Sequence, residues 1–238
     1  MTRFVLIQAR TRDEVVGPEE HASFAQHLGV DVAQITAVTA LDGPVDPDYL
    51  IDSADAILVG GSGKFGVMDS APWLHDFFDL LGELASRDVP VFASCFGFQG
   101  LCIALGAPVE TIEERAEVGT YVVERTPEAV EDPIFGTLPA SFAVQLGHKD
   151  SATRLPDGAV WLVRSELCPY QAMRLGNNVY ATQFHPELDH ETNRRRFEQY
   201  YAQYSAAMGE EKARALLDAF QPSREASALL RRFALSLG

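Results

Sequence analysis

Basic residues are scarce in this chain, and their scarcity narrows the range of partners that it could bind. The 238 residues include 19 lysines and arginines against 34 aspartates and glutamates, which gives a formal net charge of −15. Nucleic acids and anionic membrane surfaces are bound through basic faces. We therefore expect no nucleic-acid partner and no membrane partner, whereas small-molecule chemistry stays open.

Cysteine and long apolar runs are also scarce. Three cysteines cannot build a disulfide framework, because one of them would remain unpaired. No stretch approaches the roughly 20 apolar residues that a membrane-spanning helix needs. The N-terminal apolar run 4–7 is too short for a signal peptide and is typical of a first strand. These features predict a cytoplasmic protein whose cysteines stay reduced.

The chain has no internal repeat and no long linker rich in proline, glycine or serine. Its first half instead alternates apolar strands with helices, which predicts a parallel sheet covered by helices on both faces. The predicted strands are 4–7, 32–38, 55–59 and 89–93. The predicted helices are 17–29, 96–105, and one that begins near Asp69 or Ser70 and continues to Leu84.

From about residue 117 the pattern changes to strands, and helical patterns return from residue 189 onward. The turn sequence Gly176-Asn177-Asn178 predicts that the last two strands form a hairpin. We expect an α/β fold with one domain over residues 1–204 and a helical C-terminal extension of the same domain over 205–238. The predicted strands of this part are 118–125, 141–146, 159–165, 171–175 and 179–184.

Cys95 follows the buried strand 89–93 and immediately precedes a helix, in the sequence Val-Phe-Ala-Ser-Cys-Phe-Gly-Phe-Gln-Gly. A thiol at a helix N-terminus experiences the partial positive charge of unpaired amides, which favours the thiolate. A sharp turn also exposes the side chain at the carboxyl edge of the sheet, where open α/β sheets bind ligands. Gly97 leaves space beside the thiol, and the Phe96 amide is placed to stabilise an oxyanion. The alternative is a buried structural cysteine, as we expect for Cys102 and Cys168.

His185 and Glu187 end a later strand in the sequence Gln-Phe-His-Pro-Glu. Residues i and i+2 of an extended segment point to the same side, so Glu187 can orient the imidazole while its other nitrogen faces Cys95. The three residues then supply the nucleophile, base and orienting group of a cysteine triad. Two alternatives are a strand-end histidine with a helix-capping glutamate, and a metal site formed by His185, Glu187 and His190.

The segment Gly61-Ser62-Gly63-Lys64-Phe65-Gly66 spells the Gly-x-Gly-x-x-Gly pattern of dinucleotide-binding folds. That mechanism requires a helix to begin within the glycines, so that its N-terminus meets the pyrophosphate. Here the helix signals come only at residues 69–72, and the preceding strand is not the first of the fold. We expect no nicotinamide binding, and the absence of Gly-Lys-Ser or Gly-Lys-Thr also argues against a phosphate-binding loop.

The segments around Cys95 and His185 together resemble the class I (triad) glutamine amidotransferases, over about residues 4–200. The similarity is closest to stand-alone members that resemble the glutaminase domain of GMP synthase. The resemblance implies a flavodoxin-like open sheet, mostly parallel with antiparallel additions. It also implies Cys95 as nucleophile, His185 as base and acid, and Glu187 as the orienting carboxylate, with no metal and no cofactor.

The resemblance further assigns substrate-binding positions. Gln99 would bind the amino-acid end of the substrate, the loop that contains Gly61 would supply an oxyanion amide, and His148 would lie beside the glutamine site. Two residues depart from the family pattern. Ala93 replaces a glycine two residues before the cysteine, a change that should still fit. Lys149 replaces the glycine of a His-Gly-Asp turn, which puts the substrate contacts there in question.

The activity implied is hydrolysis of the side-chain amide of L-glutamine through a glutamyl thioester on Cys95. The chain shows no ATP-binding motif, so the ammonia would pass to an acceptor on a separate synthetase subunit. The same triad could instead hydrolyse a γ-glutamyl amide or peptide. A third possibility, from a different class, is a binding or regulatory protein that kept the fold without turnover.

Overall fold

A computed structural model describes the whole chain, residues 1–238, as a nine-stranded sheet flanked by helices and a separate two-stranded ribbon. The order of strands in the large sheet is β2-β1-β3-β4-β11-β10-β9-β6-β7, and β5 pairs with β8 in the ribbon. The strands are β1 (Phe4–Gln8), β2 (Ile35–Thr39), β3 (Ala56–Val59), β4 (Val91–Ser94), β5 (Val109–Thr111), β6 (Glu117–Arg125), β7 (Ser141–His148), β8 (Asp150–Ala152), β9 (Val160–Arg164), β10 (Ala172–Leu175) and β11 (Val179–Thr182).

Eight α-helices surround the sheet. They are α1 (Val16–Leu28), α2 (Pro47–Ser53), α3 (Trp73–Ser86), α4 (Phe96–Ala104), α5 (His190–Gln199), α6 (Tyr201–Met208), α7 (Glu210–Leu217) and α8 (Arg224–Ser236). No helix combines the length and the apolar character that crossing a membrane requires.

The parallel half of the sheet contains β2, β1, β3, β4 and β11, each paired in parallel with its neighbour. Parallel strands that are covered on both faces are continuously apolar, and β1, β3 and β4 are of this kind. Because the strands run in the same direction, the segments that follow β3, β4 and β11 meet at one edge of the sheet. These segments carry Gly61, Cys95 and His185.

The two faces of the sheet pack against different helices, as the alternation of side chains along a strand requires. Val5 and Ile7 of β1 join a core formed with α3 and α4. Phe4 and Leu6 face the other way and join a core formed with α1 and α8. The sequence prediction of an α/β sheet with helices on both faces is therefore confirmed.

The antiparallel part consists of β10, β9, β6 and β7, which extend the sheet beyond β11. Leu175 pairs with Val179 across a turn at residues 176–178, so the predicted hairpin is confirmed. Asp88 stabilises the turn of this hairpin, because its carboxylate accepts hydrogen bonds from the backbone amides of Asn177 and Asn178 at about 3.0 Å. The short ribbon of β5 and β8 was not predicted.

Two local predictions were wrong, and one helix was missed. The strand expected at 32–38 begins only at Ile35, because Asp31 and Gln34 form a reciprocal cap around a single 3-10 turn. Helix α2 was missed, although Asp46 caps it and Pro47 is its first residue. Helix α3 begins at Trp73, since the Asp69 carboxylate accepts the Gly66 amide within the loop and does not cap the helix.

Candidate active site

Cys95 lies at the sharp turn between β4 and α4, in a backbone conformation rare for a residue with a side chain. Its φ is 50° and its ψ is −98°. The conformation is held by a 2.7 Å hydrogen bond from the Cys95 amide to the carbonyl of Thr182 at the end of β11. Backbone strain of this kind persists only where the surrounding structure enforces it, and such positions cluster at functional sites. The side chain is 6% exposed.

Close packing explains why Gly97, two residues after Cys95, is a glycine. A Cβ atom at Gly97 would lie 2.8 Å from Val59 Cγ1 and 3.0 Å from the Cβ of Ala93. Helix α4 can therefore approach β3 and β4 closely only if position 97 is glycine. The Ala93 methyl, which departs from the family pattern, fits within this contact and is fully buried.

His185 and Glu187 form a buried pair beside Cys95. The imidazole Nδ1 lies 2.6 Å from Glu187 Oε1, and the carboxylate is completely buried. The imidazole also lies close enough to Cys95 for a thiolate there to raise the pKa of the ring. Burial alone would lower the pKa of His185, but the charges of Glu187 and of a Cys95 thiolate outweigh it and raise the pKa to about 10. The buried Glu187 carboxylate thus favours the imidazolium form of His185.

Gly61 lies directly against both groups. A Cβ atom at this position would be 2.9 Å from His185 Cε1 and 3.9 Å from the Cβ of Cys95. The Gly61 amide, however, donates to Glu20 Oε1 at 3.2 Å. To serve an oxyanion, as the sequence resemblance implies, this N–H would have to leave Glu20. Phe96, the first residue of α4, has an amide with no acceptor in the protein.

Glu20 belongs to a buried charge cluster behind the glycine loop. The Arg10 guanidinium donates to both of its carboxylate oxygens, at 2.8 and 3.0 Å, and Gln8 donates to one of them. Burial would raise the pKa of Glu20, but Arg10 outweighs it and holds the pKa below the usual value. The cluster therefore stays ionised and anchors the loop at Gly61. No sequence motif indicates this cluster, since Gln8 ends β1, Arg10 lies in the segment after β1 and Glu20 belongs to α1.

Substitution of Gly61 by alanine should reduce the glutamine hydrolysis that the sequence resemblance implies by about 10- to 100-fold, because His185 must move away from the new methyl group. The variant is best compared with Gly66→Ala, a change in the same loop where the nearest atom to a new Cβ is 3.4 Å away. Steady-state glutamate release measures both variants. Equal activities of the two would contradict the close packing of Gly61 against the imidazole.

A chain of buried hydrogen bonds leads from Cys95 away from His185. The Gln183 side-chain amide donates to Cys95 Sγ at 3.7 Å, and its oxygen accepts from Gln99 Nε2 at 3.2 Å. Gln99 Nε2 also donates to the Asp150 carbonyl at 2.7 Å. Gln99 thus lies near Cys95, as expected, with its oxygen left as the free acceptor. Gln183 was missed, although it lies two residues before His185 and therefore on the same side of the extended segment.

His148 lies deeper than expected. Its Nδ1 faces the Asp150 carbonyl and its Nε2 faces Glu117 Oε2, both at 3.0 Å. Both ring nitrogens are therefore engaged, so neither is free to form a hydrogen bond with a substrate in this arrangement. Its position suits it to fix the backbone at Asp150, which in turn accepts from Gln99.

Metal binding is not favoured by the donor groups present. Glu117, His148 and Cys168 are the only cluster whose ligand atoms lie close together. The Glu117 carboxylate already accepts from Ser165, His148 and Gln171, so hydrogen bonds satisfy it. His190 does not join His185 and Glu187 in such a cluster.

The glycine pattern at 61–66 lies in a loop, and the next helix, α3, begins only at Trp73. No helix therefore begins within the glycines.

Comparison with known proteins agrees with this arrangement. Residues 22–201 match the family described as glutamine amidotransferase class-I. One subunit of the GMP synthase (glutamine-hydrolyzing) of Methanosarcina acetivorans is 30% identical over 166 residues, which are 68% of this chain and 77% of that protein. The GMP synthase (glutamine-hydrolyzing) of Thermosipho melanesiensis is 32% identical over 136 residues, which are 57% of this chain. The corresponding protein of Thermomicrobium roseum is 41% identical over 196 residues, which are 78% of this chain. The alignments span only 24% and 35% of these last two proteins.

Solved structures support the same grouping at the level of the fold. A glutamine amidotransferase from Thermotoga maritima has a TM-score of 0.77 at 23% identity, covering 100% of this chain and 98% of that one. A glutamine amidotransferase from Methylobacillus flagellatus has a TM-score of 0.70 at 20% identity, covering 100% and 96%. Because the family match covers most of the chain and the fold agrees along its whole length, the protein belongs to the class I glutamine amidotransferase family.

Proposed function

We propose that the protein hydrolyses the side-chain amide of L-glutamine through a glutamyl thioester on Cys95. The observation that carries this proposal is the position of Cys95 at a strained strand-to-helix turn, beside the buried pair of His185 and Glu187. A nucleophile, a base and a group that orients the base are the parts that acyl transfer through a thiol requires.

In the first step the Cys95 thiolate adds to the amide carbon of glutamine. Negative charge then develops on the carbonyl oxygen, and the Phe96 amide at the start of α4 is available to stabilise it. Loss of a single oxyanion donor typically costs about 3–4 kcal/mol of transition-state stabilisation. The Gly61 amide could contribute only after its N–H turns away from Glu20, so its present role is to leave room beside the thiolate.

In the second step the C–N bond breaks as the His185 imidazolium gives its proton to the leaving nitrogen. Ammonia departs, and the glutamyl group remains bound to Cys95 as a thioester. The imidazole then takes a proton from water, which attacks the thioester to release glutamate and regenerate the thiolate. General acid–base catalysis of this kind contributes roughly 10²–10⁴ in rate. Glu187 keeps the ring oriented and stabilises its positive charge.

The amino-acid end of glutamine would bind at Gln99. Both amide protons of Gln99 are directed to the Asp150 carbonyl and to Gln183, so its oxygen can accept from the substrate ammonium. His148 would act indirectly, by holding Asp150. Lys149 adjoins both residues at this end of the site, where the sequence departs from the family pattern. No metal or organic cofactor takes part in these steps.

The fate of the ammonia is the second part of the proposal. Relatives described as single subunits of GMP synthase match this chain over most of their own length, which supports a separate synthetase partner that accepts the ammonia. We further infer a cytoplasmic location, which agrees with three cysteines that are all free thiols.

The experiment that tests the activity is incubation of the purified protein with L-glutamine, with release of glutamate and ammonia measured together. The Cys95→Ser variant is the blank. We expect equal amounts of both products from the unmodified protein. Turnover of γ-glutamyl peptides without turnover of glutamine would instead assign a γ-glutamyl hydrolase. Failure to hydrolyse either class would favour a binding or regulatory protein.

A further inference from the structure

The sulfur of Cys95 contacts a polar side chain that takes no part in the proton transfers described above. The side-chain nitrogen of Gln183 lies 3.7 Å from Cys95 Sγ, and Gln183 is completely buried. It belongs to the segment that follows β11 and precedes His185 by two residues. A buried amide in contact with the reacting atom can influence the charge on that atom.

Hydrogen bonds determine which end of the Gln183 amide faces the sulfur. The Asp150 carbonyl can only accept, so the Gln99 atom that lies 2.7 Å from it is the side-chain nitrogen. The same nitrogen lies 3.2 Å from the Gln183 side chain, and the atom that it contacts there must be the oxygen. The Gln183 nitrogen is therefore the end that faces Cys95, and it donates to Sγ.

The backbone holds this donor and its acceptor in place. The Gln183 amide donates to the Gln171 carbonyl at 2.8 Å, and the Cys95 amide donates to the Thr182 carbonyl at 2.7 Å. Two successive residues, 182 and 183, thus hold the backbone and the sulfur of Cys95. The Gln99 amide also donates to the Cys95 carbonyl at 3.0 Å. The donor is therefore preorganised, and it requires no rearrangement when charge appears on the sulfur.

A donor at this position matters because little water can reach the sulfur. Cys95 is only 6% exposed, so a negative charge on Sγ must be stabilised mainly by the protein. A hydrogen bond to the charged form of a group favours that form. Because the Gln183 amide is neutral, it can stabilise a thiolate without repelling the His185 imidazolium.

We propose that Gln183 is a further catalytic residue, whose side-chain N–H stabilises negative charge on Cys95 Sγ. In the glutamyl thioester the sulfur is neutral. It regains its charge when water attacks the carbonyl carbon and the C–S bond breaks, so a donor on the sulfur assists the departure of the thiolate. The inference deepens the proposed function, on which this role in hydrolysis rests.

The test uses Gln183→Met, which keeps the length of the side chain and removes its N–H donor. In the full-length protein kcat for L-glutamine should fall by about tenfold, as expected for the loss of a hydrogen bond to a charged group. The rate at which iodoacetamide alkylates Cys95 at neutral pH, without substrate, should fall by about threefold. This second effect is smaller, because a less stabilised thiolate is scarcer but also more nucleophilic.

Gln145→Met is the matched control. Gln145 is also completely buried, and its side-chain nitrogen donates to the Gln221 carbonyl and to Ser223. The substitution keeps the Gln145 carbonyl, which accepts the His185 amide at 2.9 Å. This control should lower the unfolding temperature about as much as the test variant does, and it should leave kcat and the alkylation rate unchanged.

Slower turnover together with slower alkylation in Gln183→Met, but not in Gln145→Met, would support the inference. Gln183→Leu gives the same test should the methionine variant fold poorly. Unchanged rates, or equal losses in the test and control variants, would overturn the inference. Faster alkylation would also overturn it, because Gln183 would then only cover the thiol. Absence of glutamate release from the unmodified protein would contradict the proposed function, and the alkylation rates would still decide whether Gln183 acts on the thiolate.

Discussion

Replacement of Cys95 by alanine is expected to reduce glutamine hydrolysis by at least about 10⁴-fold, because the residues of a catalytic triad act as a unit. The change removes one sulfur atom and no backbone contact, so the 2.7 Å bond from residue 95 to Thr182 can persist. Glutamate release under saturating glutamine measures the effect. Circular dichroism of the variant should match that of the unmodified protein.

Cys102→Ala is the matched control for this prediction. Cys102 lies seven residues further along in α4, and burial raises the pKa of its thiol to about 12. Burial likewise raises the pKa of Cys168 to about 11. Both side chains should stay protonated at neutral pH, so iodoacetamide should modify Cys95 first, and this modification should abolish activity. Comparable losses in the Cys95 and Cys102 variants would instead point to a structural effect.

The three residues that we propose as catalytic could be located from the sequence, because the position of each depends on local geometry. The sequence around Cys95 encodes a strand, a sharp turn and a helix within about ten residues, and His185 and Glu187 are only two residues apart. Parallel strands then bring the two segments together, since β4 and β11 are neighbours in the sheet. Only this last step requires tertiary structure, and the alternation of strands and helices already predicts it.

The supporting residues could not be predicted in the same way. Glu20 is an ordinary helix residue in sequence, and its role depends on the meeting of α1, β1 and the glycine loop at one point. Tyr204 lies 109 residues beyond Cys95. Its position depends on Phe197 and on a small core separate from the two main ones. Nothing in the spacing of Tyr200 and Tyr204 distinguishes a face that packs against the loops at Gly63 and Gly147 from the apolar face of any surface helix.

Two of the predicted substrate positions show a related difficulty. Sequence position places Gly61 and His148 near the site, and both are near it. The direction of the Gly61 amide and the partners of His148 depend on Glu20 and Glu117, which the motifs do not contain. A motif therefore indicates which residues lie near one another more reliably than it indicates which atom faces the substrate.

In the Glu187→Gln variant kcat is expected to fall by a factor of about 10²–10⁴, although the side chain keeps its size. Burial lowers the pKa of His185, and it is chiefly the charge of Glu187 that raises it again, to about 10. Without that charge the pKa falls. In the proposed mechanism the imidazolium donates its proton to the leaving nitrogen, and it exists only below this pKa, so activity at high pH should disappear earlier in the variant.

The profile of kcat/KM against pH tests this directly. In the unmodified protein the alkaline limb should follow the loss of the His185 proton, near pH 10. In Glu187→Gln the limb should move to lower pH by at least about one unit. A shift of one pKa unit corresponds to about 1.4 kcal/mol of lost interaction. Glu191→Gln, in the exposed first turn of α5, is the control and should leave the limb in place. An unmoved limb in Glu187→Gln would show that another group protonates the leaving nitrogen, and Glu187 would then hold the position of the ring without setting its charge.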